Sequence, residues 1–214
     1  MFRCQRRVND IQRIALAHVP HAARDAVSAL WALDAALGQV VATTTEPLIG
    51  QMRLTWWHER LTSLGAEDVP AEPILQSLHD VARYHDVTGA MLAELVEGWE
   101  LLLDDLPIEF DVLAAYATKR GDKLFALSAQ MIGAAAAPGS GAGWALIDFA
   151  MHCSDTVTAE RAWMLAGTIF ANCDSPRPRS LRILGHIARS KSNQPFANLA
   201  KPISRWILLS AVLW

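Results

Sequence analysis

Residues 46–61 read Glu46-Pro-Leu-Ile-Gly-Gln-Met-Arg-Leu-Thr-Trp-Trp-His-Glu-Arg-Leu61. Their spacing is helical. Pro47 suits a first helical position, where the N–H it lacks would go unpaired in any case. Leu48, Met52, Trp56 and Leu61 recur at close to helical intervals, and Gly65 supplies a stop. A helix over residues 47–64 follows.

Outward from this helix the same period continues. Residues 21–41 repeat Val27, Leu30, Trp31, Leu33, Leu37 and Val41 at three and four. Residues 3–17 form a first helix that Pro20 ends. Downstream, helices fit residues 74–84 and a stretch from an Asp86 or Thr88 cap to about 103. Pro107 interrupts. A long helix fits 111–137, with weak points at Gly121 and Gly133. Pro138-Gly-Ser-Gly-Ala-Gly143 reads as a linker. Helices over 144–153, 159–170, 181–190 and 199–213 complete a single domain spanning 1–214.

Composition agrees. Of 214 residues, 52% are hydrophobic and 19% charged, which is too apolar for disorder and enough for a sizeable core. Period-two runs of β-branched residues are nearly absent, so the fold class is all-α. Charge is uneven. Residues 1–160 carry 11 basic and 21 acidic side chains, net −10, whereas 161–214 carry 8 basic ones against Asp174, net +7. The basic end suits an anionic membrane surface or an acidic partner, or it packs on the acidic part of its own chain. No nucleic-acid partner is expected. Cys4, Cys153 and Cys173 are odd in number and lack metal or redox spacing, which points to free thiols in a reducing compartment. No signal-peptide pattern opens the chain. The apolar run 206–214 is about half the roughly 20 residues a membrane span needs. The expected location is cytoplasmic, either soluble or peripheral at the inner face of a membrane.

The stretch Glu46–Leu61 closely resembles the Glu-Pro-x-x-Gly-x-x-Arg-Leu-x-Trp-Trp signature of the squalene/phytoene synthase family. Arg24-Asp-Ala-Val-Ser-Ala-Leu-Trp-Ala-Leu33 resembles that family's Ala-Leu-Tyr-Ala-Phe helix. Leu95-Val-Glu-Gly-Trp-Glu100 and the Ala-Ala-Tyr-Ala stretch at Tyr116 follow in the same order. The resemblance covers about residues 20–135. It implies an isoprenoid-synthase-like helical bundle around an apolar central cavity. It also makes Arg53, Trp56, Trp57 and Tyr116 candidates for the pocket or its walls. Arg53 could pair with an anionic group in the cavity or with a carboxylate on a neighbouring helix. Trp56 and Trp57, 100° apart on a helix, cannot point the same way; one belongs to the core, the other to a cavity wall or interface.

Family members that are enzymes condense prenyl diphosphates. Mg²⁺ held by two aspartate-rich motifs on facing helices neutralises the departing diphosphate. Aligned without gaps, the first motif falls on Gly38-Gln-Val-Val-Ala42, where every carboxylate is gone. Asp34 lies one turn earlier. After residue 143 only Asp148 and Asp155 are available, and the second motif's spacing is absent. Glu97, Glu100 and Asp104 could share one helical face, either as ligands or as a solvated acidic face opposite Leu95, Leu102 and Leu106.

The resemblance therefore implies a pseudoenzyme without catalytic residues, metal or cofactor. It would act as an assembly or binding module with a protein partner or an isoprenoid or lipid ligand, as in the respiratory complex I assembly-factor branch of that family. A divergent prenyl-diphosphate transferase of isoprenoid biosynthesis would need Mg²⁺ on ligands drawn from Asp34, Glu97, Glu100, Asp104 and Asp148. A peripheral lipid-binding protein is the third reading.

Overall fold

The computed structural model describes residues 10–65, 70–103 and 106–213. Eleven α-helices and no strand lie among them: α1 (Asp10–Ala17), α2 (His21–Thr43), α3 (Pro47–Thr62), α4 (Pro73–Tyr84), α5 (Gly89–Glu100), α6 (Phe110–Tyr116), α7 (Lys123–Ile132), α8 (Ser140–His152), α9 (Thr156–Ala171), α10 (Arg179–Ser192) and α11 (Arg205–Leu213). A π turn, Ala117–Asp122, joins α6 to α7, and a 3₁₀ turn, Phe196–Asn198, precedes α11.

The long helix α2 is the axis. Twelve of its 23 residues are buried, among them Val27, Leu30, Trp31, Leu33 and Leu37. Its length and composition alone would let it cross a membrane, but its apolar faces pack on α4, α5 and α7. Three helices, α4, α5 and α9, have side-chain caps at their starts. Glu72 accepts from the Leu75 N–H (2.8 Å), Thr88 from Met91 (3.2 Å) and Asp155 from Thr158 (2.7 Å). Such caps are worth about 1 kcal/mol each. Thr88, not Asp86, is the cap of α5; Asp86 instead takes a left-handed backbone with φ 52°.

Three expectations change. The signature helix α3 turns Gly50, Leu54, Trp57 and Leu61 inward, while Leu48, Met52 and Trp56 stand 69%, 66% and 40% exposed. The stretch 138–143 is not a linker. Ser140 starts α8, and Gly141 and Gly143 are buried helical positions. A Cβ at Gly121 would lie 2.2 Å from the Gly141 carbonyl oxygen, and the reverse holds equally. The glycines serve a backbone-to-backbone crossing of the π turn and α8. Finally, Pro202 interrupts the expected helix over 199–213, and only α11 forms there.

Candidate functional site

Asp34 is the one carboxylate on the buried face of α2. A carboxylate in such a place demands a partner, because an unpaired buried charge costs several kcal/mol. The partner is Arg120, from the π turn. Its Nε and Nη2 donate to the Asp34 Oδ1 and Oδ2, each at 2.8 Å. This is the two-pronged geometry that matches a guanidinium to a carboxylate. Nη2 also lies 2.8 Å from the Asp148 Oδ2 on α8, and Nη1 donates to the Tyr116 hydroxyl at 2.6 Å. Trp99 on α5 donates its indole N–H to the Asp34 Oδ1 at 3.0 Å.

Aromatic rings close the cluster. The guanidinium carbon sits 4.3 Å from the Trp99 ring centre and 4.8 Å from that of Trp144. Tyr116 meets Trp99 and Phe149 edge to face at 5.8 and 5.6 Å. Gly98 makes room, since a Cβ there would lie 2.9 Å from the Arg120 N. Arg120 is 1% exposed. Burial alone would push its ionisation down; the neighbouring Asp34, then Tyr116 and Asp148, outweigh that and hold it well above the ordinary arginine value. The guanidinium therefore stays charged. An i→i+5 turn at such a point adds one residue to the α6–α7 helical path, and such turns cluster at special sites.

Asp148, 10% exposed, is the outer member of the cluster. Its backbone carbonyl lies 2.6 Å from the His152 Nδ1. A cleft of about 40 Å³ between α1, α8 and α10 reaches it, lined by Ile11, Trp144, His152 and Lys191 among others. That is room for a water or two.

Of the five candidates for a divergent enzyme, two converge. Asp34 and Asp148 meet, but on a guanidinium. Glu97 faces Lys119 in an exposed pair and Glu94 faces Lys123, so this acidic stretch is met by the basic residues around the π turn. Glu100 is half-buried at the end of α5, and Asp104 lies outside the described residues. Among the described residues, Arg53 meets hydroxyls rather than a carboxylate. It is exposed, and its Nη1 donates to the Thr43 and Thr44 hydroxyls at 3.3 and 3.4 Å, tying α3 to the end of α2. Trp57 is the core member of its pair and Trp56 the outward one, edge to face at 5.2 Å. Tyr116 is fully buried in the cluster.

Mg²⁺ needs several oxygen ligands and keeps waters. Among the described residues no three His, Cys, Asp or Glu side chains gather to hold a metal. The Asp34 oxygens are committed to Arg120 and Trp99. The described residues do not fit the ion. Arg120 itself went unnoticed in the sequence because Thr118-Lys-Arg-Gly-Asp122 has the composition of a solvated turn. The signal that could have found it was Asp34, stranded on an apolar helix face.

The squalene/phytoene synthase family model matches residues 13–157. Two similar curated proteins are NADH dehydrogenase (ubiquinone) complex I, assembly factor 6, from Homo sapiens and from Bos taurus. They are 28% and 26% identical over 116 residues, each match covering 54% of this chain. The match spans only 35% of the length of those relatives. Among solved structures, a dehydrosqualene synthase in complex with ligand superposes with a TM-score of 0.65 at 11% identity, covering 96% of this chain and 90% of that one. At that identity the likeness concerns the fold.

Proposed function

This chain belongs to the squalene/phytoene synthase family, and from that premise we propose that it is a non-catalytic member acting as an assembly module for a protein complex. The observation that carries the reading is Arg120 between Asp34 and Asp148. Diphosphate departure needs positive charge that can engage an incoming substrate. Here the positive charge at the centre is already bound to two carboxylates and boxed in by Trp99, Tyr116 and Trp144. Within this cluster the described cation is already committed and is not free to meet a diphosphate.

The similarity to complex I assembly factors supports a role in building a respiratory NADH dehydrogenase. Leu48, Ile49, Met52 and Trp56 on α3 offer an outward apolar face for a protein partner. Deleting the gene in its host and following the assembled dehydrogenase on native gels tests this. The expected outcome is loss of the assembled complex, restored by the wild-type chain and not by Met52→Glu/Trp56→Glu. Unchanged assembly in the deletion strain overturns it. Purified protein incubated with farnesyl or geranylgeranyl diphosphate and Mg²⁺ is expected to give no product. Product formation under these conditions would instead favour the prenyl-transferase alternative.

A further inference from the structure

The nine residues of α11, Arg-Trp-Ile-Leu-Leu-Ser-Ala-Val-Leu, hold a single charge. A helix this apolar would ordinarily be buried all round. It is not. α11 lies against α10. Ala211 is buried and Ile207, Leu208 and Val212 are half-buried. Trp206 stands 81% exposed and Leu209 51% exposed, three positions apart on the outer side.

The charges around α11 are unusual in their partners. Lys191, buried in α10, donates to the backbone carbonyls of Leu199 and Lys201. Arg179, exposed at the start of α10, donates to the Val212 carbonyl at the far end of α11. Arg189 donates to the Cys173 carbonyl at 2.6 Å. Among the described residues these cations donate to carbonyl oxygens rather than to carboxylates. Arg177, two residues before α10, and Lys201, four residues before α11, are also exposed. Within 161–214 the only acid is Asp174. Among the described residues, Arg161 on α9 pairs with Glu109 at 2.9 Å. Residues 1–160 carry net −10.

We propose that α11 docks the protein on an anionic membrane surface, with Trp206 and Leu209 entering the interface and Arg177, Arg179 and Lys201 facing lipid headgroups. A tryptophan is suited to that depth because its ring is apolar and its N–H is wet. Long basic side chains reach headgroups while their stems stay on apolar surface. The acidic remainder of the chain is repelled by the same surface, which orients the molecule with α11 down. For a cytoplasmic protein the matching surface is the inner leaflet, the more anionic one. This goes beyond the assembly reading and does not depend on it.

The test is vesicle sedimentation of the whole chain with phosphatidylglycerol-containing and with pure phosphatidylcholine vesicles, with gel filtration alongside. The expected result is partitioning to the anionic vesicles only, weakened as salt rises because the screening length shortens. Trp206→Ala and Lys201→Glu should each lower partitioning on the order of tenfold with unchanged thermal melting, since both side chains are exposed. No binding to anionic vesicles at low salt overturns the proposal, as does equal binding to phosphatidylcholine. Binding unaffected by both substitutions overturns the placement on α11. A concentration-dependent dimer abolished by Trp206→Ala, without vesicle binding, assigns this face to a second copy of the chain and likewise overturns it. Vesicle binding and assembly of a dehydrogenase are separate readouts, so either can fail alone.

Discussion

Asp34 and Arg120 lie 86 residues apart in the chain and meet through two parallel hydrogen bonds of 2.8 Å, both side chains almost wholly out of water. The pair joins the axial helix to the π turn, and Asp148 joins α8 to both. Removing one member strands the others, and breaking a buried pair in this way costs about 3–5 kcal/mol. Arg120→Ala is therefore expected to lower the melting temperature by on the order of 10 °C for a chain of this size. Asp34→Leu should do comparable damage. A melting curve for each variant checks this; a loss of only a degree or two would mean that the pair is solvated.

Gly121 and Gly141 should not accept a side chain. In each case the obstacle is backbone rather than a flexible side-chain tip. Gly141→Ala is expected to cost about 3 kcal/mol, at the top of the range for overpacking. Gly133, with φ 75° and open space where its Cβ would point, should lose less on the same change. Urea denaturation of the two variants side by side gives the comparison.

The Asp155 carboxyl caps α9 and is held below the ordinary aspartate range, first by the Thr158 hydroxyl and then by the Thr158 N–H. A carboxyl whose ionisation is depressed in the fold stabilises it above its unfolded value of about 3.9. That stabilisation fades as pH falls through the lower folded value. Asp155→Asn should melt earlier than wild type at pH 7, and the two curves should converge in acid. A gap that persists at pH 2 would show the cap acting through shape rather than charge.

On α3, Met52→Glu/Trp56→Glu replaces apolar surface that already faces water. Its effect on stability should stay within about 0.5 kcal/mol per site. The neighbouring Trp57→Ala, which opens the core, should cost about 3–5 kcal/mol. Chemical denaturation separates the two, and a large loss from the exposed pair would mean that Met52 and Trp56 are covered within the monomer.

Helix positions were legible because the apolar period of 3.6 is written locally. The expected helix at 21–41 is observed as His21–Thr43, and that at 74–84 as Pro73–Tyr84. Which face of α3 turns inward was not legible, because Leu48, Met52, Leu54, Trp56 and Trp57 cover most of its circumference. Burial was decided by Gly50 and Leu54 packing towards neighbours that the sequence does not specify. The stretch 138–143 failed for a related reason. Glycine composition is the same whether it grants chain freedom or lets two backbones touch, and only the second partner, Gly121, distinguishes them. At the site, Asp34 and Asp148 were singled out for their charge, but their meeting depends on a residue whose burial no local pattern announces.

A metal ion at the heart of a protein is a loan from solution. It arrives according to supply, leaves to a chelator, and gives way to a competing ion. Arg120 is covalently part of the chain, and its charge cannot be exchanged or titrated away at any pH the fold survives. The centre of this bundle thus acquires its cation at synthesis, so that thermal melting in excess EDTA and in millimolar Mg²⁺ should coincide. On the assembly reading proposed above, a centre already filled by Arg120 leaves the recognition of other molecules to the outer helices.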